Sequence, residues 1–359
     1  MTVDTVGGVW TYALELARAL QPYGIEILLA TMGPSLSAAQ TNDARSIPNL
    51  NLFKSNYKLE WMPDCWSDVK HAGDWLLHLE NRLQPDLVHL NGYAHANLPW
   101  HSPTLVAGHS CVYSWWQAVK HDTPPAEWQP YKTAVTNGLN AADLVVTPSA
   151  AMMQALNTHY GPLDNARVIP NGHNPENFNA RSKRKFVLSA GRLWDEAKNL
   201  DRLVEVAPEL PWPVVVAGDL QDRPHPRQCH WLGSLAQHEL QRWFAAASIY
   251  ALPALYEPFG YTPLEAALSG CALVLGDVDS LREVWSDAAV FVDPNDSDAL
   301  KTALRKLIDN ASQRHEMARR ARERAREFTS DRMGQNYFAA YVELFDAHAR
   351  KEEMLARCA

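Results

Sequence analysis

The chain has 359 residues, 47% hydrophobic and 21% charged, with a formal net charge of -8 and a pI near 6.0. That length exceeds what one hydrophobic core holds, so two domains of similar size are expected, and the acidic balance argues against a general nucleic-acid binder. Five scattered cysteines (Cys65, Cys111, Cys229, Cys271, Cys358) without a C-x-x-C pair suit a reducing cytoplasm better than a disulfide framework or a zinc site. No apolar run approaches the length of a membrane span and no signal-peptide pattern opens the chain, so the expectation is a cytoplasmic protein.

Residues 1–4 read as the tail of a first strand, which is short because only four residues precede the loop Thr5-Val6-Gly7-Gly8-Val9. An apolar-periodic helix follows through Trp10, Leu14, Ala17 and Leu20. Strand, glycine pair and helix let a phosphate or other anion approach free amides at the helix start, although a tight turn explains Gly7-Gly8 equally well. Residues 25–30 and 85–90 are strands, 68–83 a helix, and 32–70 carry no clear period. His95, after the second of those strands, either faces an acceptor or sits on the surface.

Residues 104–107 form a strand that runs into Gly108-His109-Ser110, a second strand end bearing chemistry. Cys111 beside it reads as a packing residue, since no activating partner is visible. Of the thirteen tryptophans many fall between Trp61 and Trp128, and Trp115, Trp116, Trp128 and Tyr131 form either an aromatic surface for an acceptor or ordinary core. Residues 142–149 give another strand running into a helix, and 166–173 close the first domain at the Asn171-Gly172 turn. The polar stretch 174–184 is the expected linker.

The second domain opens on the strand 185–190, then Gly191-Arg192, with Lys198 at the mouth of the next helix. Two cations and a helix dipole thus meet at one strand end, a suitable clamp for a diphosphate. Residues 213–217 are a strand ending in Gly218-Asp219, Trp231-Leu232 precede a helix over about 239–247, and 248–253 form a buried strand. Next comes Tyr256-Glu257-Pro258-Phe259-Gly260-Tyr261-Thr262-Pro263-Leu264-Glu265. Thr262 to Glu265 reads as a capping box with proline at the first helical position, and Gly270 stops the helix. On that pattern Glu265 is a capping carboxylate; a second carboxylate on the same loop, Glu257, favours a ligand role for both. In an open α/β sheet, ligands bind outside the carboxyl ends of the strands, where this loop falls.

The Glu257-x7-Glu265 string, between a strand and a helix, closely resembles the E-x7-E signature of the family 4 retaining glycosyltransferases (group 1), and the likeness spans nearly the whole chain. The resemblance implies the GT-B fold, two Rossmann-like α/β domains facing across a cleft. Residues 1–173 would bind the acceptor and 174–337 the nucleotide sugar, with a C-terminal helix over about 338–359 crossing back to the first domain. It implies that Glu257 faces the transferred sugar, that Glu265 holds the ribose hydroxyls, and that amides of Phe259, Gly260, Tyr261 and Thr262 hold sugar hydroxyls. Arg192 and Lys198 would clamp the donor diphosphate, and Gly7 and Gly8 would lie against the phosphates and the acceptor. His109 would reach the donor sugar, and the backbone at Trp231 and Leu232 would meet the base.

The expected activity is transfer of a sugar from a UDP-, GDP- or ADP-sugar to a sugar, glycan or lipid-linked acceptor, with retention and without a metal or other cofactor. Asp277-Val278-Asp279 looks like a metal-binding D-x-D but follows the wrong strand, and reads as a turn. The basic run Arg319 to Arg326 either touches anionic lipid weakly or forms a solvated helix face with Glu partners. A nucleotide-sugar epimerase and a non-catalytic partner subunit are the alternatives, the latter disfavoured because the site set is intact.

Overall fold

The computed structural model describes residues 1–358, with side chains as far as Met354 apart from Glu352; Cys358 and Ala359 lie outside the described side chains. The chain divides into two compact units. The first comprises Met1–Gln117, Asp122–Gly172 and the helix that begins at Ser330; the second comprises Ala118–His121 and His173–Thr329. The chain thus crosses between the units at 117/118, 121/122, 172/173 and 329/330, and the C-terminal segment rejoins the first unit at Ser330, earlier than residue 338.

The first unit is a run of strands alternating with helices: β1 (Thr2–Asp4), α1 (Gly8–Leu20), β2 (Ile27–Met32), α2 (Ala38–Arg45), β3 (Leu50–Lys54), α3 (Trp66–Leu83), β4 (Val88–Leu90), β5 (Thr104–Ala107), α4 (Val112–Lys120), α5 (Gln129–Ala141), β6 (Leu144–Thr147), α6 (Ala150–Tyr160) and β7 (Ala166–Val168). All pairings are parallel, in two sheets ordered β1-β2-β3 and β4-β5-β6-β7. Asn91 stitches the two at β1, where its backbone N–H donates to Thr2 Oγ1 (2.9 Å) and its side-chain amide to Thr2 O (2.7 Å). The stretch without a clear period holds α2 and β3; only Leu50 of β3 is buried, so its alternation is faint.

The second unit has β8 (Arg184–Ala190), α7 (Leu200–Val206), β9 (Val214–Ala217), β10 (His230–Trp231), α8 (Gln237–Ala246), β11 (Ala247–Leu252), α9 (Tyr261–Leu268), β12 (Ala272–Gly276), α10 (Asp279–Trp285), β13 (Val290–Val292), α11 (Ser297–Asp309) and α12 (Ala311–Ala325). Its six strands are parallel in the order β10-β9-β8-β11-β12-β13, a doubly wound sheet. Alternate residues feed two cores: Leu188, Tyr250, Leu252 and Leu273 pack with α8, α9 and α10, while Val187, Ile249, Ala251 and Val274 pack with α7 and α11. Such near-continuous apolar strands are what a sheet covered on both faces requires.

The last helix, α13 (Ser330–Cys358), packs on α1 within the first unit. The approach is close at Gly334, where an added Cβ would lie 2.7 Å from Ala19 Cβ and 2.9 Å from Ala19 O. Gly334→Ala should therefore cost about 2–3 kcal/mol of stability, read as a lower urea midpoint; an unchanged midpoint would show that the two helices are not in contact there.

Candidate functional site

In the second unit the strand order reverses between β8 and β11, so the loops leaving these two neighbours diverge toward helices on opposite faces of the sheet. Arg192 and Lys198 lie on the first loop, Glu257 on the second. Lys198 Nζ contacts Glu257 Oε2 at 2.7 Å, each side chain being 14% exposed. Arg192 meets Asp195 Oδ2 at 3.2 Å, and Asp195 also caps the short turn Glu196–Lys198 by accepting from the Ala197 N–H at 3.0 Å. The two loops are joined by backbone and side chain. Leu255 N–H donates to Ala197 O (2.9 Å), and the Asn199 amide donates to Pro253 O (2.9 Å) and Pro294 O (2.7 Å).

The expected capping box does not form. Helix α9 begins at Tyr261, its N-cap is Gly260 at φ 93, and no side chain caps it. Glycine adopts that backbone without cost, and Pro263 then falls at the third helical position, where its missing N–H is one of the unbonded first-turn donors. The Thr262 hydroxyl instead lies 2.7 Å from Tyr250 Oη, which is also 3.1 Å from Ala190 O. Gly270 does stop the helix, at φ 83. Glu265, 3% exposed, is thus no cap: Gln237 donates to its Oε1 at 2.6 Å, and His173 Nε2 lies 3.4 Å from the same atom.

Phe259 is buried and packs its ring against Tyr261 and Phe328, so it has only backbone to offer a ligand. Trp231 donates its indole N–H to Gly218 O at 2.9 Å, and Leu232 N–H donates to Val216 O at 2.9 Å, which pins this edge to β9. Asp277 pairs with Arg282, and Asp279 opens α10, so this D-x-D is a loop and helix start. Among the described residues no cluster of three or more His, Cys, Asp or Glu side chains is placed to hold a metal. Arg319 and Arg320 pair with Glu316, Arg319 also with Glu323, and Arg324 with Glu327, so the basic run is an ion-paired helix face.

In the first unit, Gly7 and Gly8 are exposed at the start of α1, with Gly7 as N-cap and no capping side chain, so the first amides of the helix stay available. His109, half-buried after β5, places Nε2 2.8 Å from Asn91 Oδ1 and packs its ring on Tyr12 at 4.4 Å. Because the Asn91 amide nitrogen donates to Thr2 O, its oxygen faces His109 and can only accept; the hydrogen therefore sits on Nε2. Burial pushes the imidazole pKa down to about 4, so the ring is neutral and Nδ1 is an acceptor. Behind it, His89 joins Tyr12 Oη (3.2 Å) and Tyr341 Oη (2.6 Å), its own pKa also driven well down by burial.

His95 fits neither expected role. It is buried and its Nε2 lies 2.9 Å from Val69 O. Tyr131 is core, and Trp115, Trp116 and Trp128 are half-buried neighbours of one another. Cys111 is buried, with its thiol pKa raised by burial, in keeping with a packing residue. Asn91, His173, Gln237 and Asp195 hold the predicted residues in place and were not singled out from sequence; for Asn91 the signal is its position at the end of β4, beside β1.

Two family models match successive parts of the chain: Glycosyltransferase Family 4 over residues 6–177 and Glycosyl transferases group 1 over residues 172–324. A glycogen synthase of Mycobacterium tuberculosis is 29% identical over 328 residues, covering 84% of this chain and 73% of that protein. Among solved structures, a sucrose-phosphate synthase from Thermosynechococcus elongatus superposes with a TM-score of 0.78 at 19% identity, covering 96% of this chain and 99% of the other. HepE from Anabaena, in complex with UDP and glucose, does so with 0.74 at 17%, covering 94% and 98%. These structural likenesses show a shared fold.

The histidine pair has a consequence for acid stability. The unfolded chain takes up protons near the ordinary histidine pKa of 6.5, whereas folded His109 waits until about 4, so stability should be full above 6.5 and fall as pH drops toward 4. His89 adds to the same window in the same direction. Urea unfolding at pH 7.5 and pH 5 should show a smaller pH-dependent loss in His109→Gln than in the parent; an equal loss would contradict the neutral ring.

Proposed function

The chain belongs to the group 1, family 4 glycosyltransferases and has their GT-B fold, and from that premise we propose that it transfers a sugar from a nucleotide-diphosphate sugar to an acceptor hydroxyl, with retention and without a metal. The observation that carries this reading is the joining of Lys198 to Glu257 at the strand-order reversal, with Arg192 on the same loop and Glu265 in the helix that follows.

In the proposed reaction the bond from the anomeric carbon to the diphosphate oxygen breaks, its electron pair stays on the diphosphate, and the acceptor oxygen bonds to the same face. The acceptor's proton passes to the departing diphosphate. Arg192 and Lys198 would hold the growing negative charge, and preorganised charge of this kind is usually the largest catalytic contribution. Two fixed cations would take the part a metal plays elsewhere. Glu257 would face the sugar as positive charge develops on its ring, while backbone from Phe259 to Thr262 holds its hydroxyls and that at Trp231 and Leu232 meets the base. In the first unit, His109 would offer Nδ1 as an acceptor for a hydroxyl.

UDP is the first nucleotide to test, because a structural neighbour is described in complex with it; GDP and ADP follow. Thermal shift in buffer containing EDTA should show stabilisation by one of them. With the matching sugar donor, the anomeric signal of the product should keep the donor's configuration in NMR. Release of free nucleotide without use of acceptor would instead favour an epimerase.

Glu257→Ala should lower kcat by roughly 100-fold or more. Nucleoside diphosphate should bind it as tightly or more tightly, since Lys198 loses its internal partner. Lys198→Ala should weaken both binding and turnover. Unchanged turnover in Glu257→Ala would remove the mechanism.

A further inference from the structure

Glu265 is a nearly buried carboxylate whose contacts converge on one oxygen. Gln237 Nε2 donates to Oε1 at 2.6 Å from the first turn of α8, and His173 Nε2 lies 3.4 Å from the same Oε1. His173 is itself held on all sides. Its side chain is 4% exposed, its backbone N–H donates to Phe328 O at 3.0 Å, and its ring packs edge-on against Phe178 at 4.6 Å and Tyr261 at 6.1 Å. It also bridges Thr329, so the point where the chain enters the second unit and the point where it leaves are joined beside this carboxylate.

We propose that His173 and Gln237 are positioning residues that fix Glu265 through Oε1 so that Oε2 presents to the two ribose hydroxyls of the donor. The proposal rests on the donor reading above and adds what makes that carboxylate selective for a ribose. A carboxylate that rotates freely offers hydroxyls a time-averaged target; one whose first oxygen is held offers the second in a single place. Neither holder carries the permanent charge of an Arg or Lys, so the carboxylate can be oriented while its charge is left to strengthen hydrogen bonds from the hydroxyls. Neither residue needs to touch the ligand.

The test measures affinity for UDP and for 2′-deoxy-UDP, with the GDP and ADP pairs in parallel, by calorimetry on the full chain. The parent should prefer the ribonucleotide by about tenfold or more. His173→Phe keeps a ring against Phe178 but removes the nitrogen, and Gln237→Leu removes the amide. In each the preference should shrink to about threefold or less, through loss of ribonucleotide affinity alone. His173→Gln, which restores a donor, should recover it. Melting temperatures within a few degrees of the parent would separate positioning from misfolding, and Gln237→Leu carries the test should His173→Phe not fold.

An unchanged ribo-to-deoxy ratio in Gln237→Leu and His173→Phe would overturn the proposal, as would equal loss of both nucleotides. Glu265→Ala separates the two levels. If it keeps the parent's ratio, the ribose role of Glu265 is wrong; if it abolishes the ratio while the other variants do not, only the positioning role is wrong. Failure of every nucleotide to bind the parent would remove both.

Discussion

The Lys198–Glu257 pair hangs on one constraint: β8 and β11 lie side by side, yet their outgoing loops must lead to opposite faces of the sheet. A right-handed crossover at every step permits no other course once the strand order reverses. The divergence leaves two loops side by side at the strand ends. Left alone, such loops would be loose. Here Asn199 reaches carbonyls of Pro253 and Pro294, and Leu255 bonds back to Ala197, so the two loops are tied together. Lys198 and Glu257 meet where those ties bring the loops together.

The first unit solves a related problem with one side chain. Its two sheets abut at β1 and β4, and Asn91 uses its amide nitrogen to join them and its oxygen to orient His109. The seam and the tautomer are therefore set by the same amide. Glu60 supports the loop that carries Asn91, accepting from the backbone N–H groups of Tyr93 (3.0 Å) and Ala94 (2.7 Å). Burial raises the pKa of that carboxyl, and the two amides oppose the shift. This buried acid anchors the loop.

The residues that sequence reasoning found are those whose chemistry lies on a continuous string. Glu257 and Glu265 share one loop and helix, and Arg192 and Lys198 one strand end, so each pair lies on a short string that a family resemblance can single out. The supporting residues are distant in sequence from what they hold: Gln237 is 28 positions from Glu265, and Asn91 is 89 from Thr2. No local pattern joins them. The capping-box expectation failed because Thr262 and Gly260 can both start a helix, and the choice was decided by Tyr250, which lies on a strand and engages the Thr262 hydroxyl. His95 escaped for the same reason, since its partner Val69 belongs to α3. Strands and helices with strong periods were legible; β3, buried at one residue only, was not.

What distinguishes the two glutamates physically is their company. Glu257 faces a lysine at 2.7 Å, so its charge is balanced until something displaces that lysine. Glu265 is more deeply buried, 3% exposed, and an amide donor and an imidazole at 3.4 Å stand where a cation might. Burying a carboxylate so costs free energy unless its hydrogen-bonding capacity is filled, and the amide fills only part of it. A ligand that brings hydroxyl donors completes the set and relieves the cost. On the proposed ribose role, that incomplete arrangement in the free protein is what would give the site its strength, and placing a cation beside Glu265 would weaken it.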